Sequence, residues 1–119
     1  MLNLDTNMVV RAFRSDLTAH ERRLLGEDRW GISAIVLWEL AKLSQMGRID
    51  VGLDDPEFSR NLQAMHVWPL DLEVARASTR LDFRSDPADE IIAATSIVHG
   101  APLVTRDRKL LRSRVVPLA

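Results

Sequence analysis

The sequence contains no cysteine and no tyrosine. Without thiols there can be no disulfide, no thiolate metal site and no cysteine nucleophile, which suits a reducing compartment. Aromatic residues make up only 5% of the chain, too few for the stacking platform used by single-strand binders. No run approaches the ~20 apolar residues of a membrane span. The first residues carry neither a basic stretch nor the long apolar core of an export signal, so a cytoplasmic location is the expectation. Lysine is nearly absent, since 14 of the 16 basic residues are arginine. The net charge of −1 excludes charge-driven coating of nucleic acid. It leaves room for a nuclease, whose site must be locally acidic to hold a metal.

What is present is an ordinary globular composition, 46% hydrophobic and 28% charged over 119 residues. That length predicts one domain, residues 1–119, around one core. Met1–Leu4 reads as a first strand and Thr6 to about Arg14 as a helix. Thr18-Ala19-His20-Glu21 has the spacing of a capping box, which starts a second helix over about 19–25. Trp30–Ser33 reads as a strand, followed by a helix from Ser33 to about Met46. A helix over Pro56 to about Met65 and a strand over Val67–Leu70 come next. Asp71 caps a helix with Val74, Ala77, Ser78 and Leu81 as its buried stripe. Asp86 opens the most apolar helix, which ends at His99-Gly100. Leu103–Thr105, a short helix over Arg108–Leu111 and a last strand over Val115–Leu118 complete the chain. Short apolar strands alternating with helices predict a mostly parallel α/β sheet of four to five strands with helices on both faces. In such sheets, sites form beyond the carboxyl ends of the strands.

Four acidic residues stand in or beside apolar segments, where a charge is costly unless compensated. Asp5 and Asp107 each follow a strand, and each fits a helix N-cap as well. Glu39 interrupts an apolar helical face between Ile35 and Leu43, with only Lys42 as a local ion-pair partner. Asp86-Pro87-Ala88-Asp89 is a helix start, with Asp86 at N-cap, Pro87 at N1 and Asp89 at N3. Asp86 is therefore structural first, whereas Asp89 can act as cap and ligand together. Converging carboxylates repel, by ~4 kcal/mol for a pair at ~4 Å and an effective dielectric near 20. One or two Mg²⁺ or Mn²⁺ ions would relieve this and leave positions for phosphate oxygens. The quartet is expected to lie within reach of one or two shared metal positions.

Asp5-Thr6-Asn7, Trp38-Glu39-Leu40-Ala41, Asp86-Pro87-Ala88-Asp89 with the following Glu90-Ile91-Ile92-Ala93-Ala94-Thr95, and Leu103-Val104-Thr105-Arg106-Asp107 occur in the order and spacing of PIN-domain proteins. More narrowly, the chain resembles the VapC toxins of type II toxin–antitoxin pairs, from Leu4 to about Leu118. The resemblance implies a three-layer α/β/α fold and a Mg²⁺- or Mn²⁺-dependent endoribonuclease. It makes Asp5, Glu39, Asp89 and Asp107 the metal-binding and catalytic quartet. Thr6 and Thr105 become hydroxyls behind the ligands, and Asp86 becomes outer support. It also implies an RNA substrate, a cognate antitoxin that blocks the site, and a homodimer. Where relatives often carry Arg after the second motif acid, this chain has Glu90, which adds negative charge beside the site.

Two basic groups could hold RNA phosphates. Arg76, Arg80 and Arg84 would form one ridge on a long enough helix, though a solvated helix face paired with Asp and Glu explains them better. Arg106, Arg108 and Lys109 border Asp107, with Arg112 and Arg114 close by. Trp30, Trp38 and Trp68 lie in apolar segments and are expected in the core. His20, His66 and His99 lack ligand spacing. The competing reading is a non-catalytic, receiver-like or interaction domain whose acids only cap helices. An aspartyl phosphatase would want a second Asp at position 7, which is Asn here.

Overall fold

A computed structural model describes residues 1–119, all of the chain. Four strands, β1 (Leu2–Leu4), β2 (Trp30–Ser33), β3 (His66–Trp68) and β4 (Leu103–Val104), form one sheet in the order β3-β2-β1-β4. Every pairing is parallel. Seven helices connect them: α1 (Thr6–Phe13), α2 (Ala19–Gly26), α3 (Ala34–Gln45), α4 (Pro56–Gln63), α5 (Leu72–Ser78), α6 (Pro87–His99) and α7 (Arg108–Leu111). Parallel strands need crossover connections, and helices supply them here. The result is the expected three-layer α/β/α arrangement with a parallel sheet.

Local chemistry explains most boundaries. Thr18 accepts the Glu21 N–H at 3.1 Å while the Glu21 carboxylate accepts the Thr18 N–H at 2.8 Å, a complete capping box at the start of α2. Asp55, Asp71 and Ser33 cap α4, α5 and α3 by accepting N–H groups of the first turn. Gly100 ends α6 with φ +63°, a left-handed conformation that glycine adopts without strain.

The core gathers Leu2, Leu4, Val9, Ile32, Val36, Leu40, Phe58, Ile92, Leu103 and Leu110 from both sides of the sheet. Inside it, the Asn3 amide donates to the Ile92 carbonyl at 3.0 Å and to Ser96 Oγ at 2.9 Å. This pins β1 onto α6.

Four expectations need correction. β3 covers His66–Trp68 rather than 67–70, because Pro69 has no N–H to continue the ladder. The 115–118 segment forms no strand beyond a single parallel bridge, Leu103 to Leu118. Ser113 Oγ accepts the N–H groups of Val115 and Val116, holding that stretch in a bend, and only Pro117 and Ala119 bond to β4, through Leu103. Helix α5 stops at Ser78. The Ser78 hydroxyl donates to the Ala75 carbonyl at 2.6 Å and the Thr79 hydroxyl to the Arg76 carbonyl at 2.7 Å, competing for the acceptors a longer helix would use. Arg80 and Arg84 therefore lie beyond the helix, and the Arg76–Arg80–Arg84 ridge does not form. Finally, Trp38 is 56% exposed rather than core. Trp68 is buried, as expected, and stacks on His99.

Candidate metal centre at the carboxyl edge of the sheet

Strand β1 lies between β2 and β4; the chain leaves β1 toward β2, whereas after β4 it turns the other way, to the Leu118 bridge. That reversal of strand order is where crevices open in parallel sheets. Asp5 follows β1 directly, and Asp107 lies three residues past the end of β4. Thr6 and Glu39 enter from α1 and α3, and Asp89 from the first turn of α6.

Asp5 is buried. One carboxylate oxygen accepts the Met8 N–H at 2.8 Å, so the capping reading holds for that oxygen. The other accepts the Thr105 hydroxyl, a contact that joins residues 100 positions apart. Thr105 Oγ1 in turn accepts the Asp107 N–H at 3.0 Å, so one hydroxyl organises both acids. Asp107 caps α7, accepting the Lys109 N–H at 2.8 Å through one oxygen. Glu39 accepts the Thr6 hydroxyl. Asp89 accepts the Ser85 hydroxyl at 2.8 Å. Asp86 occupies the N-cap of α6, yet its side chain makes no capping bond. Glu90 turns back to accept the Ser85 N–H at 3.2 Å.

The electrostatics tie the acids into one group. Burial pushes the Asp5 carboxyl above its ordinary value, with the charges of Asp89 and Asp107 adding to the rise against hydrogen bonds from Thr105 and Met8. Burial likewise raises Glu39, and Asp89, Asp5 and Asp86 push in the same direction against the Thr6 bond. Asp89 is raised by burial first, then by Asp107 and Asp86, while Ser85 and Lys109 oppose. None of the four acids of the quartet takes part in an ion pair with an arginine or lysine.

An all-oxygen donor set with surplus negative charge and no ion-paired cation fits a hard divalent cation. The fit lies in chemistry and placement. As the side chains stand, no three carboxylates or imidazoles close on a single point tightly enough to hold an ion. The expectation of a ready ligand set is corrected accordingly: mutual repulsion favours separation, and three of the acids are turned to hydroxyls.

Beside Asp5 and Asp107 lies a small cleft of about 190 Å³, lined also by Asn7, Met8, Arg11 and Arg106. Asn7 and Arg11 escaped the sequence reading. Their i, i+4 spacing, starting two residues after Asp5, was the available signal. Arg106 is not free for phosphate, because its guanidinium is taken up by Glu21. Lys109 lies near enough to Asp89 to lower its proton affinity. Arg108 is exposed and caps nothing.

This geometry has counterparts in known proteins. The pattern of the PIN domain family matches residues 3–115, and the chain belongs to that family. Within it the chain is of the VapC type, being 36% identical to ribonuclease VapC22 of Mycobacterium tuberculosis over 91 residues, 73% of this chain and 69% of that protein. Among solved structures it resembles VapBC2 from Rickettsia felis bound to a promoter DNA fragment, with a TM-score of 0.75 at 20% identity over 100% of this chain and 98% of that one. A toxin–antitoxin complex from Klebsiella pneumoniae superposes with a TM-score of 0.73 at 20% identity, covering 94% and 91%. At such identities the structural likeness establishes the fold. No helix is long and apolar enough to cross a membrane.

Proposed function

We propose that the chain is a Mg²⁺- or Mn²⁺-dependent endoribonuclease, the toxin of a toxin–antitoxin pair acting in the cytoplasm. One observation carries the reading. Four carboxylates from separate parts of the chain are coupled through their charges at one edge of a parallel sheet, and none of them is ion-paired with an arginine or lysine. Family membership and the 36% identical ribonuclease support the ribonuclease part of this reading.

Asp5, Glu39, Asp89 and Asp107 would hold the ion. When bound, it would lower the pKa of an attacking water and stabilise negative charge on the leaving oxygen. The chain's own residues prepare that site. Thr6, Ser85 and Thr105 each fix the orientation of one carboxylate by a hydroxyl hydrogen bond. Such outer partners orient ligands and tune their basicity. Burial of Asp5 raises its proton affinity, so the acid most removed from water gains most from a cation. Arg11 at the rim of the cleft keeps donors available to an RNA phosphate beyond its single bond to Asp16 at 2.7 Å.

An antitoxin and a second copy of the chain are the proposed protein partners. Exposed Trp38, Met46, Leu70 and Leu72 supply apolar surface for them.

The test is RNA cleavage with Mg²⁺, Mn²⁺ or chelator, in wild type, Asp5→Asn and Asp89→Asn. Cleavage should require the metal and fall by at least ~10²-fold in each variant, with circular dichroism unchanged. Equal cleavage by variants and wild type would sink the assignment. The capping of α1 by Asp5 and of α7 by Asp107 favours the rival non-catalytic reading. Ligand bound only by the native state raises the melting temperature. A melting temperature indifferent to millimolar Mn²⁺, together with no cleavage, would favour that rival.

A further inference from the structure

Arg106 sits between Thr105, whose hydroxyl donates to Asp5, and Asp107, whose N–H donates to that same hydroxyl oxygen. Its own side chain points away, toward the start of α2. Nε donates to Glu21 Oε2 at 2.7 Å and Nη2 to Glu21 Oε1 at 2.6 Å, a bidentate pair. Nη2 also reaches the Asp16 carbonyl at 3.3 Å. Planar, two-point geometry of this kind fixes orientation as well as distance.

Glu21 is itself held. It is the N3 member of the capping box, with Oε1 also accepting the Thr18 N–H at 2.8 Å. Its side chain is only 12% exposed. Asp16 is set by the turn that ends α1: Ser15 adopts φ +56°, the Asp16 N–H donates to the Arg11 carbonyl at 2.8 Å, and the Asp16 carboxylate holds Arg11. The short segment after β4 is thereby clamped on two sides. Thr105 is tied to Asp5 and Arg106 to α2, with Asp107 hanging from both.

We infer that Glu21 and Arg106 are positioning residues, which lock the Thr105–Asp107 segment so that Asp107 and Asp5 share one edge. Arg106 acts on the site through the backbone of its neighbours and does not touch RNA. The catalytic consequence rests on the ribonuclease reading, whereas the geometric one stands without it.

The experiment uses the full chain as wild type, Glu21→Gln, Arg106→Gln, Arg106→Lys and the charge-reversed pair Glu21→Arg with Arg106→Glu. Glu21→Gln keeps an oxygen for the Thr18 N–H, so the helix cap is spared. Amide exchange in metal-free protein reads the latch directly. Opening it should speed exchange at Asp107 about 10-fold or more, while core amides such as Ile32 and Val36 keep their protection. Mn²⁺ affinity should fall about 10-fold, as for lost outer partners of metal ligands. In cleavage assays kcat should fall by a similar factor with KM for RNA unchanged. The reversed pair should recover part of each loss, and Arg106→Lys less, since an ammonium lacks the fork.

Unchanged Asp107 exchange in Arg106→Gln overturns the inference. So does a raised KM with unchanged kcat, which would make Arg106 an RNA contact. A wild type that neither binds Mn²⁺ nor cleaves RNA, but loses Asp107 protection in Arg106→Gln, refutes the nuclease reading and upholds the latch.

Discussion

Replacing Glu39 by Gln should stabilise the metal-free protein. The Glu39 carboxyl is half-buried on α3 and is raised above its ordinary value by burial, then by Asp89, Asp5 and Asp86. Its one stabilising partner is the Thr6 hydroxyl, which donates to Oε1. A glutamine keeps that acceptor and removes only the charge. At contact, two like charges cost ~4 kcal/mol at an effective dielectric near 20. Separation and salt screening reduce this, so a gain of about 1 kcal/mol is the expected scale. For a chain of this size that is a rise in melting temperature of about 4 °C.

The pH dependence has a definite sign. A carboxyl whose folded pKa is raised binds protons more tightly in the folded state, so stability falls as pH rises from the unfolded pKa through the folded one. The gain of Glu39→Gln is therefore full above the folded pKa of Glu39. It disappears below the unfolded value, where the wild-type carboxyl is protonated in both states. Thermal melts with chelator across pH 4 to 8 read this directly. Added Mn²⁺ should reverse the order, because the native wild type gains from binding and the variant gains less. If Glu39→Gln is no more stable than wild type at pH 7.5 without metal, or if its advantage persists unchanged at acid pH, the electrostatic account of the site is wrong.

Two further predictions concern the frame around it. A Cβ added at Gly31 would stand 2.5 Å from Trp68 Cζ3 and 2.6 Å from Cη2. The indole is buried and stacked on His99. Gly31→Ala should therefore cost ~1–3 kcal/mol by overpacking, and an unchanged denaturation midpoint would refute the close approach. The Arg106 guanidinium beside Glu21 lowers its carboxyl to about 2, from an ordinary 4.5. Its contribution is complete above pH 4.5 and is lost as pH falls toward 2. In acid titrations followed by circular dichroism, the stability gap between wild type and Glu21→Gln should close over that window; a constant gap would count against the ion pair.

Local chemistry was legible in the sequence, and tertiary pairing was not. Thr18 with Glu21, and Asp71, mark helix starts by bonds within four residues, and Pro87 marks that of α6 through its fixed backbone at N1. The carboxyl-edge placement of Asp5 and Asp107 followed from their positions just past strands of a parallel sheet. Exposure of Trp38 was not readable, because an apolar sequence neighbourhood does not say which helix face meets the core. The end of α5 turned on Ser78 and Thr79 hydroxyls bonding back to the helix, a competition that propensity leaves open. The fate of Arg106 was hidden for a stronger reason. Its partner lies 85 residues away, and an arginine beside a site acid suits phosphate as readily as carboxylate.

The central strand is made first and completed last. β1 begins at Leu2, yet its neighbour on one side is β4, through Asn3 with Leu103 and Leu4 with Val104. The hydroxyl that organises Asp5 and Asp107 comes from the same late segment. During synthesis, Asp5, Glu39 and Asp89 emerge before any residue able to close the edge. A nascent chain therefore carries an incomplete acid set until the segment holding Thr105 and Asp107 has emerged. The topology itself makes assembly of this edge a late step in folding.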